Sequence, residues 1–406
     1  MSTDTELAPD VAEAIGRIIL GSDDPYPDYA LLRERAPRLR LPDGTRVLTR
    51  RADVVAVLRD SRFGHLYADR QRQLWGDEQV NASRLLQSRL RWFLFMDPPD
   101  HGRLRGLVQK VFTPKAFEDR APTIQGFVDE HLDRALASDT FDLVSDFAHP
   151  LTVDTIGDLL GVPRADRTRF SDWGLVFEAL PGSDAFEQAE RLIIDYEDYF
   201  TALLAEKRRS PGDDLLSALL VAEEQGDRLS ADEALATAFS LFGAGFDTTR
   251  HLIGNAVHAL LRHPDQLTLL RDQPGLMRNA VEEFLRFDGS VQFTTRTALQ
   301  DVDLDGERFT RGDAFYLCLG AANRDPEAHE RPDELDIRRA RPQPLTFGGG
   351  IHHCLGAAMG RLETRLGLTA LLDRAASLGL AGAPRWRQGA VFRGLESLPL
   401  SAGATG

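Results

Sequence analysis

The sequence predicts a mainly α-helical domain with small β-sheets, and three observations carry that reading. Apolar residues recur at helical spacing through most of residues 100–290. Strand-like alternation is confined to short stretches bounded by glycine and proline. One long helix with its own start and stop signals is apolar on nearly all sides, so it crosses a core. Composition agrees: 42% hydrophobic and 27% charged residues over 406 positions describe an ordinary globular chain. A chain of this length buries ample core without a disulfide framework or a metal staple.

The elements follow in order. Met1 to Asp10 holds Asp4, Glu6 and Asp10 and no basic residue, unlike a secretory signal. Residues 1–24 are expected to be an N-terminal tail, and 25–406 a single domain. Leu39 to Thr49 reads as a hairpin turning at Pro42-Asp43-Gly44-Thr45. Asp53 to Asp60 reads as helix, and Asp97-Pro98-Pro99-Asp100-His101 as a capped helix start with proline in the first turn. The long helix begins at a capping box, Ser230 with Glu233, and stops at His263-Pro264. Beyond it, Phe293 to Leu319 reads as strands turning at Asp305-Gly306 and Arg311-Gly312, and Ala357 to Leu372 as helix.

Charge narrows the function. The 63 acidic against 48 basic residues leave −15, which argues against nucleic acid as a bulk partner. No run reaches the roughly 18 apolar residues of a membrane span. With two cysteines the chain reads as a reduced intracellular protein, and with no signal-like start or apolar run as soluble and cytoplasmic; a monomer is expected.

Two segments break the helical pattern chemically. Midway along the long helix, Gly243 and Gly245 are followed by Asp247, Thr248, Thr249 and Arg250. Such a cluster is either a tolerated kink beside water or a groove where a carboxylate and a hydroxyl handle protons. The second segment is Pro344-Leu345-Thr346-Phe347-Gly348-Gly349-Gly350-Ile351-His352-His353-Cys354-Leu355-Gly356. Three successive glycines allow sharp turns and close approach, and Cys354 stands just before a helix whose N-terminus favours a thiolate. No Lys-Ser/Thr follows for a phosphate loop, and no second ligand pair completes a zinc site. A single axial thiolate for a large cofactor stays open, as does a buried structural cysteine.

Phe347-x-x-Gly350-x-His352-x-Cys354-x-Gly356 resembles the haem-binding loop of the cytochrome P-450 family. Ala244-Gly245-x-Asp247-Thr248 is similar to the family's oxygen-activation motif, and Glu283-x-x-Arg286 to the paired residues of its next conserved helix. The three occur in family order, and the similarity extends from about Pro25 to Pro399. The resemblance implies the family's fold, with the long central helix over haem b, and implies Cys354 as axial thiolate with Gly350, Gly356 and Phe347 around it. It assigns His101 and Arg105, and on the other side Arg296 and His352, to the haem propionates. Thr248 with Asp247 would deliver protons where oxygen is activated; many members carry Glu at the position of Asp247. Glu283 and Arg286 would be structural. Their usual third partner is an arginine, but Glu334 stands in its place, leaving Arg324 or Arg338 to substitute. Gly360 stands where alanine is usual.

By the same analogy a substrate pocket would draw on residues 66–95, 170–194 and 289–294, with Trp92, Leu241, Ala244, Phe293 and Phe392 as wall residues. The implied activity is insertion of one oxygen atom into a small organic substrate, by hydroxylation or epoxidation in natural-product tailoring, the substrate free or carrier-bound. The alternatives are a recruitment module without oxygenation, and thiolate-haem chemistry such as C–C coupling, dehydration or peroxide use. The chain has no flavin or nicotinamide fingerprint, so a ferredoxin and ferredoxin reductase are the implied electron donors. Arg103, Lys110, Lys115, Arg361 and Arg365 are the expected docking cations.

Overall fold

The computed structural model describes residues 7–170, 173–224 and 229–404. Of the expected N-terminal tail, residues 1–6 lie outside the described residues, as do 171 and 172 of the expected substrate region. The described chain is mainly helical with small sheets. Among the described residues, no helix is long and apolar enough to cross a membrane. The chain divides into two compact units. One comprises Met1–Phe63, Thr123–Pro150 and Thr248–Gly406, the other Gly64–Pro122 and Leu151–Asp247.

The first unit holds the sheet. Arg38–Arg40, Arg46–Leu48, Ala314–Cys318 and Phe293–Ala298 lie side by side in that order. Arg46–Leu48 runs parallel to Ala314–Cys318, and the other two pairings are antiparallel. The expected hairpin forms because Asp43 accepts the Thr45 N–H at 3.0 Å and closes the turn. Val302–Leu304 and Glu307–Phe309 make a second hairpin around Asp305-Gly306, both with positive φ as a tight two-residue turn requires. Leu48, Val57, Leu58, Phe315 and Leu317 pack as one core beneath this sheet.

Residues 9–20, expected to be part of a tail, form the helix Pro9–Leu20. Val11, Ala14 and Ile18 fall at helical spacing and are buried beside Tyr26, Tyr29 and Leu32. Proline supplies the first turn where no N–H is needed.

The second unit is helical and dense in aromatic rings. Phe170, Phe200, Phe239, Phe242 and Phe246 are all nearly or fully buried. Phe170 packs on Phe242 at 4.8 Å between ring centroids and on Phe200 at 5.4 Å. Such tilted contacts suit the ring quadrupoles.

One helix runs through both units, Ala231–Arg262. Its capping box closes in both directions: the Glu233 carboxylate accepts the Ser230 N–H at 2.8 Å, and Ser230 Oγ accepts the Glu233 N–H at 3.2 Å. The glycines do not break it; the helix is continuous through residues 243–250. Gly245 is there for packing, since a Cβ on it would lie 2.6 Å from Cγ1 and Cδ1 of Ile156.

Candidate active site

The long helix is buried almost throughout its central turns, and its exceptions define a strip. Ala244 is exposed, and Gly245 and Thr248 are half-buried, while Leu241, Phe242, Phe246, Asp247 and Thr249 are buried. Ala244 and Thr248 are one turn apart and share a face. An accessible methyl and an accessible hydroxyl thus adjoin in helical turns that are otherwise mostly buried. Asp247, only 1% exposed, places a carboxylate next to that hydroxyl in the chain.

The two cysteines have opposite surroundings. Cys318 is fully buried between strand and helix, its sulfur accepting the Ala321 N–H at 3.4 Å, and burial pushes its pKa up to about 12. Cys354 is exposed. Its loop folds back on itself: the Cys354 N–H donates to the Phe347 carbonyl at 2.9 Å, and the His353 N–H to Gly350 at 3.1 Å. Gly356 then caps the helix Ala357–Arg374, so the thiol stands at that helix's N-terminal end.

Gly350 is required by the way its loop packs. Its φ is +65°, and a Cβ on it would run into the carbonyl oxygen of Leu58. The loop is pressed on the backbone after the helix Arg51–Arg59 begins to end, and only glycine fits. Gly350→Ala should therefore displace the loop at an expected cost of about 1–3 kcal/mol, which thermal unfolding checks. Gly356 is the opposite case, with nothing within 4 Å of where its Cβ would stand.

Phe347 beside this loop is held by Arg361, whose guanidinium lies over the ring at 4.5 Å while pairing with Glu282 (Nη2 to Oε2, 3.0 Å). Arg103 likewise pairs with Glu233, the capping-box carboxylate, and Lys115 with Asp119 at 3.1 Å. These three of the expected docking cations thus have acidic partners of their own.

The propionate candidates are placed as follows. Arg296 is buried in the strand Phe293–Ala298 and donates to the Thr295 carbonyl at 2.7 Å. His352 ends a short turn of 3-10 helix and is half-buried. His101 is buried and Arg105 half-buried on the helix Asp100–Gln109. Asp97 does not cap that helix. Pro99 occupies the cap position, and the Asp97 carboxylate instead accepts the N–H groups of His65 and Leu66, each at 2.8 Å.

Among the wall candidates, Phe293 and Phe392 are buried at 8% and 7% exposure, and Leu241 at 8%. Trp92 is 0% exposed, closed in by Phe95, Phe177 and Phe239 at 5.9, 6.1 and 5.7 Å, which is the environment of a core ring.

Glu283 and Arg286 are fully buried and bidentate, with both contacts at 2.7 Å. Their third member is neither Arg324 nor Arg338 but Arg339, whose Nε donates to both Glu283 oxygens at 3.1 Å. Arg324 is committed to the Phe287 carbonyl, and Arg338 reaches Gln273. Glu334 contributes its carbonyl to Arg286, while its carboxylate turns outward to Arg331. Gly360 sits with its would-be Cβ 3.4 Å from Thr249 Oγ1, an ordinary contact that an alanine would also make.

These residues fit a haem. Among the described residues no group of three or more His, Cys, Asp or Glu side chains could hold a metal ion, so multi-ligand centres have no support there. A single accessible thiol on a glycine loop at a helix end fits a cofactor that takes one thiolate ligand, as haem does. Within the first unit, buried Arg296 offers a cation that suits its carboxylates, and half-buried Thr248 an accessible hydroxyl.

Comparison with known proteins agrees. The family model for cytochrome P450 matches residues 167–375. Cytochrome P450 CYP107DY1 of Priestia megaterium is 39% identical over 91% of this chain and 94% of its own length. Cytochrome P450 monooxygenase PikC of Streptomyces venezuelae is 40% identical over 94% and 92%. The crystal structure of P450BioI in complex with an acyl carrier protein ligated to hexadec-9Z-enoic acid superposes with a TM-score of 0.87 at 35% identity, covering 94% of this chain and 99% of that one. With matching motifs, fold and near full-length identity, the chain belongs to the cytochrome P450 family, the oxidoreductases of haem-dependent monooxygenation.

Proposed function

We propose that this P450 inserts one oxygen atom into a small organic substrate of secondary metabolism, by hydroxylation or epoxidation. The observation that carries the reading is the contrast between its thiols: Cys354 is accessible on its glycine loop, and Cys318 is sealed in the core. Cys354 would supply the thiolate that holds the haem iron. Haem held by that sulfur supplies the activation of dioxygen and the transfer of one oxygen atom. Arg296, His352, His101 and Arg105 bind its propionates, and Phe347, pinned by Arg361, shields the sulfur.

Thr248 and Asp247 handle the protons. The accessible hydroxyl of Thr248 holds a proton at its Oγ1, and Asp247, next to it in the chain, returns a proton to it from its carboxylic acid form and is itself reprotonated from water. Ala244 and Leu241, with Trp92, in the second unit and Phe293 and Phe392 in the first are the apolar residues assigned to orient substrate. A ferredoxin and its reductase deliver the electrons. The polyketide biosynthesis cytochrome P450 PksS of Bacillus subtilis, 36% identical, supports secondary metabolism as the setting, and the complex of P450BioI with an acyl carrier protein supports a substrate presented on a carrier.

Carbon monoxide added to the reduced protein tests the ligand: a red-shifted Soret band is expected, and an unshifted band would refute thiolate ligation. Thr248→Ala tests the proton path. It should keep that band yet lose product per NADPH by about tenfold or more, the electrons appearing as hydrogen peroxide. Undiminished coupling would remove Thr248 from the path.

A further inference from the structure

Two chain segments, Ser290–Gln292 and Val391–Arg393, are far apart in sequence yet bonded to each other. The Arg393 N–H donates to the Ser290 carbonyl and the Gln292 N–H to the Val391 carbonyl, both at 2.8 Å, framing a β-bridge between Val291 and Phe392. Two bonds and one bridge are little to fix a register. What surrounds them is more substantial.

Asp288 ends the helix Met277–Asp288, two residues before the first segment. Its Oδ1 accepts from Arg393 Nε and from the hydroxyl of Tyr26, each at 2.6 Å. All three side chains are nearly buried. The Arg393 guanidinium lies 3.8 Å from the Trp386 ring centroid, and that of Arg324 lies 3.3 Å from the Tyr26 ring. From the long helix, Asn255 Nδ2 donates to the carbonyls of both Asp288 and Arg393, at 3.0 and 3.1 Å. Burial works against the charge on Arg393, but Asp288 and Tyr26 outweigh it and raise its pKa. Burial, then Asp288, holds the Tyr26 hydroxyl protonated, so it remains a donor.

We propose that Tyr26, Asp288 and Arg393 form a clamp that positions Val291 and Phe392 as specificity-determining walls of the substrate pocket. The inference rests on the reading above that Phe392 belongs to that wall. None of the three touches substrate; each acts through the backbone it holds. Asp288 fixes the start of one segment, Arg393 the end of the other, and a single carboxylate oxygen sets the spacing between them. Tyr26 and Asn255 keep that oxygen and the adjacent carbonyls from shifting. Buried charged pairs retained at a bridge of this kind contribute geometry more than stability. The clamp therefore tunes which substrates fit, leaving the thiolate and proton chemistry alone.

The test uses two azoles that ligate haem iron but differ in reach. Imidazole is too small to press on a pocket wall, whereas clotrimazole carries three aryl rings that do. Holoenzyme variants Tyr26→Phe, Arg393→Lys and Phe392→Ala are titrated with both, following the Soret band. The clotrimazole-to-imidazole ratio of Kd values is expected to rise about tenfold in Tyr26→Phe and Phe392→Ala, with the carbon monoxide spectrum unchanged. A ratio unchanged or lowered in Tyr26→Phe but raised in Phe392→Ala overturns the clamp and leaves the pocket reading standing. A ratio unchanged or lowered in Phe392→Ala takes Phe392 out of the wall and overturns both. Should Arg393→Lys fail to fold, Tyr26→Phe decides, since it deletes one hydroxyl and leaves the ion pair in place.

Discussion

Cys354→Ser is expected to abolish the red-shifted carbon monoxide band completely while leaving the fold intact. The side chain is exposed, and the loop's bond at this position is made by the backbone, Cys354 N–H to Phe347 carbonyl at 2.9 Å. Exchanging sulfur for oxygen removes none of that, so the unfolding free energy should change by no more than the roughly 0.5 kcal/mol of a surface substitution. A serine hydroxyl stays protonated where a thiol at a helix end ionises, so the donor is lost even though the shape is kept. Oxygenation should fall by at least about a thousandfold, or some 4 kcal/mol of barrier. Cys318→Ser provides the contrast. Its thiol sits at 0% exposure among Val47, Tyr29 and Phe293, and burial holds it protonated. That variant should keep the band and lose stability, by about 1–3 kcal/mol for a buried hydroxyl. A thiolate band surviving in Cys354→Ser would show that another residue ligates the iron.

The same two cysteines show how far sequence reaches. Glycine density distinguishes Cys354 from Cys318 because it is a local feature, written within a dozen residues. The long helix is legible for the same reason: its capping box and its proline stop are contiguous with it. The Leu39 to Thr49 hairpin follows from one Asx turn. Features that depend on chain folding are not legible. Gly350 looks like a ligand-approach residue until the Leu58 carbonyl, almost three hundred positions away, occupies the space. Arg338 and Arg339 differ in sequence by one step. The turn in which Asp336 accepts the Arg338 N–H sends one outward to Gln273 and the other inward to Glu283. The clamp joins Tyr26 to Asp288 across 262 positions, and no local pattern could announce it.

Glu283→Ala should be the most destabilising single change in the first unit. The carboxylate is 0% exposed and accepts from four donors: two on Arg286, Nε of Arg339 and the Asp336 N–H at 3.0 Å. Arg286, itself buried, spends its remaining donors on the carbonyls of Asn323, Pro332 and Glu334, so one carboxylate organises the whole 323–339 turn around a single helix. Without it two guanidinium groups are left near each other with no anion between them. Breaking a buried pair in this way costs about 3–5 kcal/mol, because the surviving charge is uncompensated. That is a large share of the 5–15 kcal/mol that typically holds a domain together. Glu283→Gln should fare little better, since an amide keeps the shape but not the charge. Arg339→Met should cost less than either, because it leaves the bidentate pair with Arg286 satisfied. Denaturant midpoints and haem content measured across the three variants check the order. Equal losses in Arg339→Met and Glu283→Ala would mean that Arg339, not Glu283, is the centre of the network. Thr346 provides the route from this network to the cysteine loop. Its hydroxyl donates to the Leu285 carbonyl at 2.6 Å and accepts from Asn323 Nδ2, whose own carbonyl in turn bonds Arg286. Phe347 follows directly in the chain. A helix loosened at Glu283 therefore loosens the start of the loop that carries Cys354, and haem content should fall in step with stability.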